Sequence, residues 1–173
     1  LIHDITCTSY GGNGIYLDPA ASNCHIENNV VYNCNTDGLN MKGFNHTIIN
    51  NIFYDTQYGG IRNTAGYFDE IAGVVERNII VPRSPAVYRV YRGRSPIDMN
   101  IRASHNLLWS LTEGPHVLVE EIGLYGLARG KQMAYDMWRA QTGQGGESIV
   151  ADPGFAAPDP AAVGDFDFQP GAA

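Results

Sequence analysis

The chain has 173 residues, 44% of them hydrophobic, and its 18 Asp and Glu outweigh 11 Lys and Arg to give a net charge of −7. That length fits one domain with enough apolar material for a core, and the acidic balance argues against nucleic acid as the main partner, since phosphate binding relies on a basic surface. No apolar run is long enough to span a membrane, and three cysteines (Cys7, Cys24, Cys34) without a CxxC spacing indicate neither a disulfide framework nor a zinc site.

The first predicted element is Leu1-Ile2-His3-Asp4-Ile5, which aligns with Val30-Val31-Tyr32-Asn33 further on. The chain is therefore expected to start inside a repeating unit, as part of a longer protein. Further N-terminal coils or a complementary chain would then cover the open strand edge. The first complete unit holds three short strands: Gly14 to Leu17, Cys24 to Asn28 and Val30 to Asn33. Two phrases then repeat in step. Gly14-Ile15-Tyr16-Leu17 returns as Gly38-Leu39-Asn40-Met41 and Gly60-Ile61-Arg62-Asn63. Ile26-Glu27-Asn28-Asn29-Val30-Val31-Tyr32 returns as Ile48-Ile49-Asn50-Asn51-Ile52-Phe53-Tyr54, and more loosely around Asn78 and Asn106. Self-similarity at a period of roughly twenty to thirty residues, with β-runs and no helix inside the unit, predicts a β-solenoid.

Strand residues alternate faces, so Ile15 and Leu17 are expected to point inward and Tyr16 and Asp18 outward. Stacking the units as parallel sheets would build the apolar ladders Ile15/Leu39/Ile61 and Ile26/Ile48/Val74. Asn29, Asn51, Asn78 and Asn106 are expected at one-residue corners, where Asn tolerates a left-handed backbone. Their stacked amides would bond along the axis. After Trp109 the repeat breaks down. Val117-Leu118-Val119 reads as a last strand, and Lys131 to Gln141 as a helix carrying Met133, Met137 and Trp138 on one face. Asp152 to Pro170 reads as extended, irregular chain. Residues 1–109 thus form the coils and 110–173 a cap that closes the last coil.

The phrases Gly14-Ile15-Tyr16-Leu17-Asp18 and Ser22 to Tyr32, the ending Trp138-Arg139-Ala140-Gln141-Thr142-Gly143, then Ser148, Ala151-Asp152-Pro153-Gly154-Phe155 and Gly164-Asp165-Phe166 together resemble the right-handed parallel β-helix carbohydrate-active enzymes. The resemblance implies an all-β fold, a right-handed parallel β-helix with an irregular C-terminal cap containing one short helix. It also implies an extracellular or periplasmic protein acting on plant or algal polysaccharide, with no cofactor and no metal. The family holds glycoside hydrolases and polysaccharide lyases alike, and its nearest flavour is hydrolysis of fucosides, xylosides and pectic side chains.

The outward residues of the Gly-led strand form the candidate site. Across coils, Tyr16, Asn40 and Arg62 are expected to stack, as are Asp18, Lys42 and Thr64, and Asn13 and Asp37. Such a mixture suits sugar hydroxyls; equally, it suits a solvated face whose charges pair across rungs. Asp18 and Asp37 are the catalytic candidates, as acid/base or nucleophile. Their register separates them by five strand residues, roughly 16 Å, which is too far for either hydrolase geometry. Each would need another carboxylate, such as Asp69, Glu70 or one from further coils. The lyase alternative assigns Lys42 and Arg62 as base and carboxyl-neutralising cation. A third class is a non-catalytic glycan-binding or adhesion solenoid. Arg83, Arg89, Arg92, Arg94 and Arg102, interleaved with Tyr88 and Tyr91, make a local basic stretch. Tyr88, Arg89 and Arg92 would contact an acidic saccharide, or the arginines would bridge to Asp and Glu of a neighbouring coil or the cap. Cys24 falls one coil before His46, a stack that fits a metal pair or, more simply, core packing.

Overall fold

The computed structural model describes residues 1–7, 11–63, 72–91, 101–122 and 128–169, with the backbone alone at 91, 120–122, 128 and 129. Ile2–Ile5 (β1) is followed by turns of three strands each: Ile15–Tyr16 (β2), His25–Glu27 (β3) and Val30–Cys34 (β4); Asp37–Met41 (β5), His46–Ile49 (β6) and Ile52–Tyr54 (β7); Gly59–Asn63 (β8), Gly73–Glu76 (β9) and Ile79–Val81 (β10); Ala86–Tyr91 (β11), Ile101–Ser104 (β12) and Leu107–Leu108 (β13). The three strands of a turn enter three different sheets. The first sheet runs β1-β4-β7-β10-β13 and ends on Ile149–Val150 (β16). The second runs β2-β5-β8-β11 and continues through His116–Ile122 (β14) to Ala128–Ala134 (β15); the third runs β3-β6-β9-β12. All pairings between these strands are parallel except β14 with β15. The chain is a right-handed parallel β-helix.

Inward columns build the core, because no single turn could bury its own apolar face. Ile15, Leu39, Ile61, Tyr88 and Val117 share one column. Val31, Phe53, Ile80 and Leu108 share a second and are fully buried. The third column is Ile26, Ile48, Val75 and Ala103. Val75 replaces the expected Val74, which pairs with Thr47 instead. Counting back from the corner Asn gives this register, because Val75 stands three before Asn78 as Ile48 stands three before Asn51. Gly38 and Gly60 lead their strands because the backbone approaches the core there. A Cβ on Gly60 would lie 2.1 Å from Ile80 Cγ2, and one on Gly38 2.8 Å from Phe53 Cδ1.

The corner amides form the expected ladder. The Oδ1 atoms of Asn51, Asn78 and Asn106 each accept both the backbone N–H and the Nδ2 of the Asn one coil earlier, at 2.9–3.1 Å. Their Nδ2 groups also donate to the carbonyls of Ile26, Ile48 and Val75, and Ser148 Oγ ends the row by accepting the Asn106 N–H. The left-handed residue, however, is the one before: Asn28, Asn50, Arg77 and His105 have φ of 59, 55, 55 and 53°. The corner thus divides its work, with one residue turning the chain and the next saturating buried polar groups.

The cap differs from expectation at both of its elements. Residues 131–134 belong to β15, so helix α1 spans Tyr135–Thr142 only. Pairing with the edge of β14 outweighs the helical pattern. Helix α1 brings Tyr135 and Trp138 under the last coil, where their rings lie 6.5 and 5.7 Å from that of Tyr88. The segment after β16 returns along the outer side of the first sheet, packs Phe155 and Phe166 against Tyr32 and Tyr54, and contains a second short helix, Pro160–Val163 (α2). Coil-like ladders therefore extend past residue 109, through β14 and β16.

Candidate functional site

The outward column of the second sheet is built as the repeat predicts. Tyr16 pairs with Asn40, Asn40 with Arg62 and Arg62 with Arg89, so one strand position presents an aromatic, an amide and two guanidinium groups on successive rungs. Neighbouring rungs are about 4.8 Å apart. Lys42 joins this row from the next outward position. Its Nζ donates to the Tyr16 hydroxyl at 2.6 Å and lies 5.0 Å from the ring centroid. The expected ion pair between Lys42 and Asp18 is thus replaced by a contact with Tyr16. Asp18 is exposed, and its side chain makes no hydrogen bond or ion pair among the described residues.

Asp37 has a different fate. It is 1% exposed, and both carboxylate oxygens accept from Arg89 Nη1, at 2.9 and 3.0 Å. Arg89 reaches back across the intervening rung because that rung carries Gly59, where a Cβ would sit 2.7 Å from Arg89 Cδ. Burial and this bonding give Asp37 the geometry of a structural charge pair rather than of a solvent-facing acid. Arg89 commits its Nη1 to this pair. The contact runs diagonally, because Gly59 is the rung partner of Asp37 whereas Arg89 is the rung partner of Arg62, so no single column of the repeat announces it.

Two further expectations are corrected. Tyr88 does not face the saccharide. It occupies the inward column above Ile61, is fully buried and packs on Tyr135 and Trp138; burial pushes its hydroxyl pKa well above the ordinary value. The arginines do not form one surface. Arg83 makes a two-pronged bridge to Asp55 of the preceding coil at 2.7 Å, which raises its own pKa. Arg102 stands exposed on the third sheet, beside Val74. The cross-coil salt bridge is the reading that holds for Arg83 and Arg89. Arg92, Arg94, Thr64, Asp69 and Glu70 lie outside the described residues, as does the side chain of Tyr91.

The stacked Cys24 and His46 are a core pair. His46 Nδ1 accepts the Cys24 backbone N–H at 3.2 Å, so its Nε2 carries the proton and donates to the Lys42 carbonyl at 2.8 Å. Both ring nitrogens are occupied by backbone, which leaves neither for a metal. Among the described residues no three His, Cys, Asp or Glu side chains gather as a metal site would require, and no helix is long and apolar enough to cross a membrane.

What remains on the outward face is Tyr16 with Lys42, then Asn40 and Arg62, with Asp18 at its rim. This arrangement can hold hydroxyls through the amide and phenol, and a carboxylate through Arg62 and Lys42. No curated protein and no solved structure matches the chain. Residues 1–81 match the family model described as right handed beta helix region.

Proposed function

We propose that the chain is part of an extracytoplasmic carbohydrate-active enzyme, and that an extended saccharide bearing carboxylates lies across the rungs of the second sheet. The observation that supports this reading is the column Tyr16–Asn40–Arg62 with Lys42 held against Tyr16. Residue type changes from rung to rung in strict register there, as successive subsites on a polymer require. Rungs of about 4.8 Å let neighbouring side chains address one sugar unit together. The net charge of −7 does not prevent this, since charges further away than about 8 Å are screened at physiological salt.

The proposed reaction is glycoside hydrolysis, with Asp18 as acid/base or nucleophile. Its partner carboxylate, about 5–5.5 Å away for retention or 6.5–9.5 Å for inversion, would come from Asp69, Glu70 or a coil stacked on β1, β2 and β3. These three strands end their sheets, and Ile2, Ile5, Ile15 and Leu17 beside them are only partly covered. One contact favours a second reading. Lys42 Nζ 2.6 Å from the Tyr16 hydroxyl, with Arg62 two rungs from Tyr16, fits β-elimination: neutral Lys42 takes the proton α to a uronate carboxyl held by Arg62, a C=C bond forms as the glycosidic C–O bond breaks, and the leaving oxygen takes a proton from water.

Product analysis on acidic plant polysaccharides separates the readings. Hydrolysis yields new reducing ends without ultraviolet absorption, and Asp18→Asn abolishes them. An ultraviolet-absorbing unsaturated uronate would transfer the assignment to Lys42 and Arg62. Saccharide binding with neither product would leave a glycan-binding solenoid.

A further inference from the structure

The outer side of the first sheet carries a second site. Its outward column runs His3, Tyr32, Tyr54 and Val81, and Trp109 follows it on the next rung, its backbone N–H bonded to the Ile80 carbonyl. The returning C-terminal segment covers Tyr32 and most of Tyr54 but stands off from Trp109. Between them lies a cavity of about 440 Å³ lined by Trp109, Tyr54, Phe155, Asp152 and Gln169. That size suits a small-molecule site.

Its polar groups are incompletely used. Asp152 Oδ1 accepts the Gly154 N–H at 2.9 Å, and its Oδ2 makes no hydrogen bond among the described residues. Gln169 Nε2 donates to the Phe155 carbonyl at 3.3 Å, leaving its Oε1 in the same state. The Tyr54 hydroxyl and the Trp109 indole N–H likewise bond no described residue. Two acceptors, one donor and one hydroxyl therefore stand around half-buried Trp109 and the buried rings of Tyr54 and Phe155. Sugar hydroxyls both donate and accept, and match such a mixed set; an ammonium only donates and would leave the indole unmatched. The charge is one-sided, because Asp152 lines the cavity and no Lys or Arg does so among the described residues, while Arg83 is bridged to Asp55. An acidic sugar would be repelled.

We propose that this cavity binds a neutral hexopyranose unit, with an apolar sugar face on Trp109 and hydroxyls donating to Asp152 and Gln169. It is a site separate from the cationic face of the second sheet, with the opposite charge preference.

Nitrogen–proton correlation spectra of the intact chain test it, because the two tryptophans give two indole signals, assigned with Trp109→Phe. The buried Trp138 serves as internal control. The probes are methyl glucoside, galactoside, mannoside and xyloside, methyl glucuronide and tetramethylammonium. A neutral glycoside is expected to move the Trp109 signal with about millimolar affinity, as suits so small a ligand, and to leave Trp138 in place. Asp152→Asn should weaken binding about tenfold, the loss of one charged hydrogen bond, with the melting temperature unchanged; Gln169→Ala should weaken it less. Arg62→Ala, which removes a charge from the other face, should leave the shift of the Trp109 signal by neutral glycosides as in the parent, so failure here and failure of the outward-face reading are distinguishable. The proposal is overturned if no neutral glycoside moves Trp109, if Asp152→Asn and Gln169→Ala both bind as the parent does, or if the glucuronide or the ammonium binds more tightly than the neutral sugars.

Discussion

Two rows of polar side chains run along this β-helix, and both keep strict register from coil to coil. The corner row repeats one residue, and Asn51, Asn78 and Asn106 are each 1% exposed with their amides bonded to the coils on either side. The outward row of the second sheet runs through Tyr16, Asn40, Arg62 and Arg89, so three residue types occupy its four rungs. The difference separates scaffold from site. A polar group needed by every coil must recur unchanged, because each coil has the same backbone groups to satisfy. A ligand makes different demands on successive rungs.

The pair Asp37–Arg89 lies on the outward face but behaves as scaffold, and it offers the sharpest test of the division. Asp37→Ala would take the carboxylate from a guanidinium that is 13% exposed, and is expected to cost about 3–5 kcal/mol in chemical denaturation. A loss below about 1 kcal/mol, the range of exposed pairs, would return Asp37 to the site. Asn78→Ala comes next. It removes the acceptor of the Asn51 N–H and the donor to the Ile48 carbonyl, both buried, at a cost of about 1–3 kcal/mol per stranded group. Asn29→Ala, half-buried on the first coil, should cost roughly 1 kcal/mol because water replaces what is lost. Equal losses at the two positions would break the picture of a ladder sealed by its neighbours.

A third prediction concerns the sealed interior itself. Burial pushes the Cys34 thiol from 9.0 up to about 11. Between those values the unfolded chain has lost the proton and the folded chain keeps it. Stability is therefore fully present below pH 9 and falls as pH rises to 11, by about 2–3 kcal/mol. Tyr54, Tyr88 and Tyr135, also raised by burial, act in the same direction above pH 10. Cys34→Ala should flatten the first part of that decline in denaturation curves taken across the window; an unchanged slope would mean that the thiol reaches solvent. The smallest effect on stability belongs to Arg62→Ala. It should stay within about 1 kcal/mol, as for other half-exposed charges, while weakening saccharide binding.

Much of this was legible in the sequence. The period placed the three sheets, and the outward alternation put Tyr16, Asn40 and Arg62 in one column. What escaped has physical reasons. The left-handed corner fell one residue early because both Asn of an Asn-Asn pair tolerate that conformation, and only Arg77 and His105, where the pair is broken, reveal which of them uses it. Alternation alone would put Tyr88 and Arg89 on opposite faces, and only the register with Ile61 shows that Tyr88 is the inward one. The Lys131–Ala134 strand obeys a tertiary demand, the open edge of β14, which outweighs local propensity. The Trp109 cavity arises from a chain reversal that no local pattern announces.

The role proposed for the outward row is recognition of an acidic saccharide. Calorimetric titration of the parent chain and of Arg62→Ala with an oligogalacturonate, and with its carboxyl-reduced neutral counterpart, tests it most directly. The account predicts binding of the acidic oligomer that weakens with added salt, about tenfold or more weaker binding of the neutral one, and a similar loss in Arg62→Ala without a change in melting temperature. Equal binding of the two oligomers, or parent-like binding by Arg62→Ala, would contradict it.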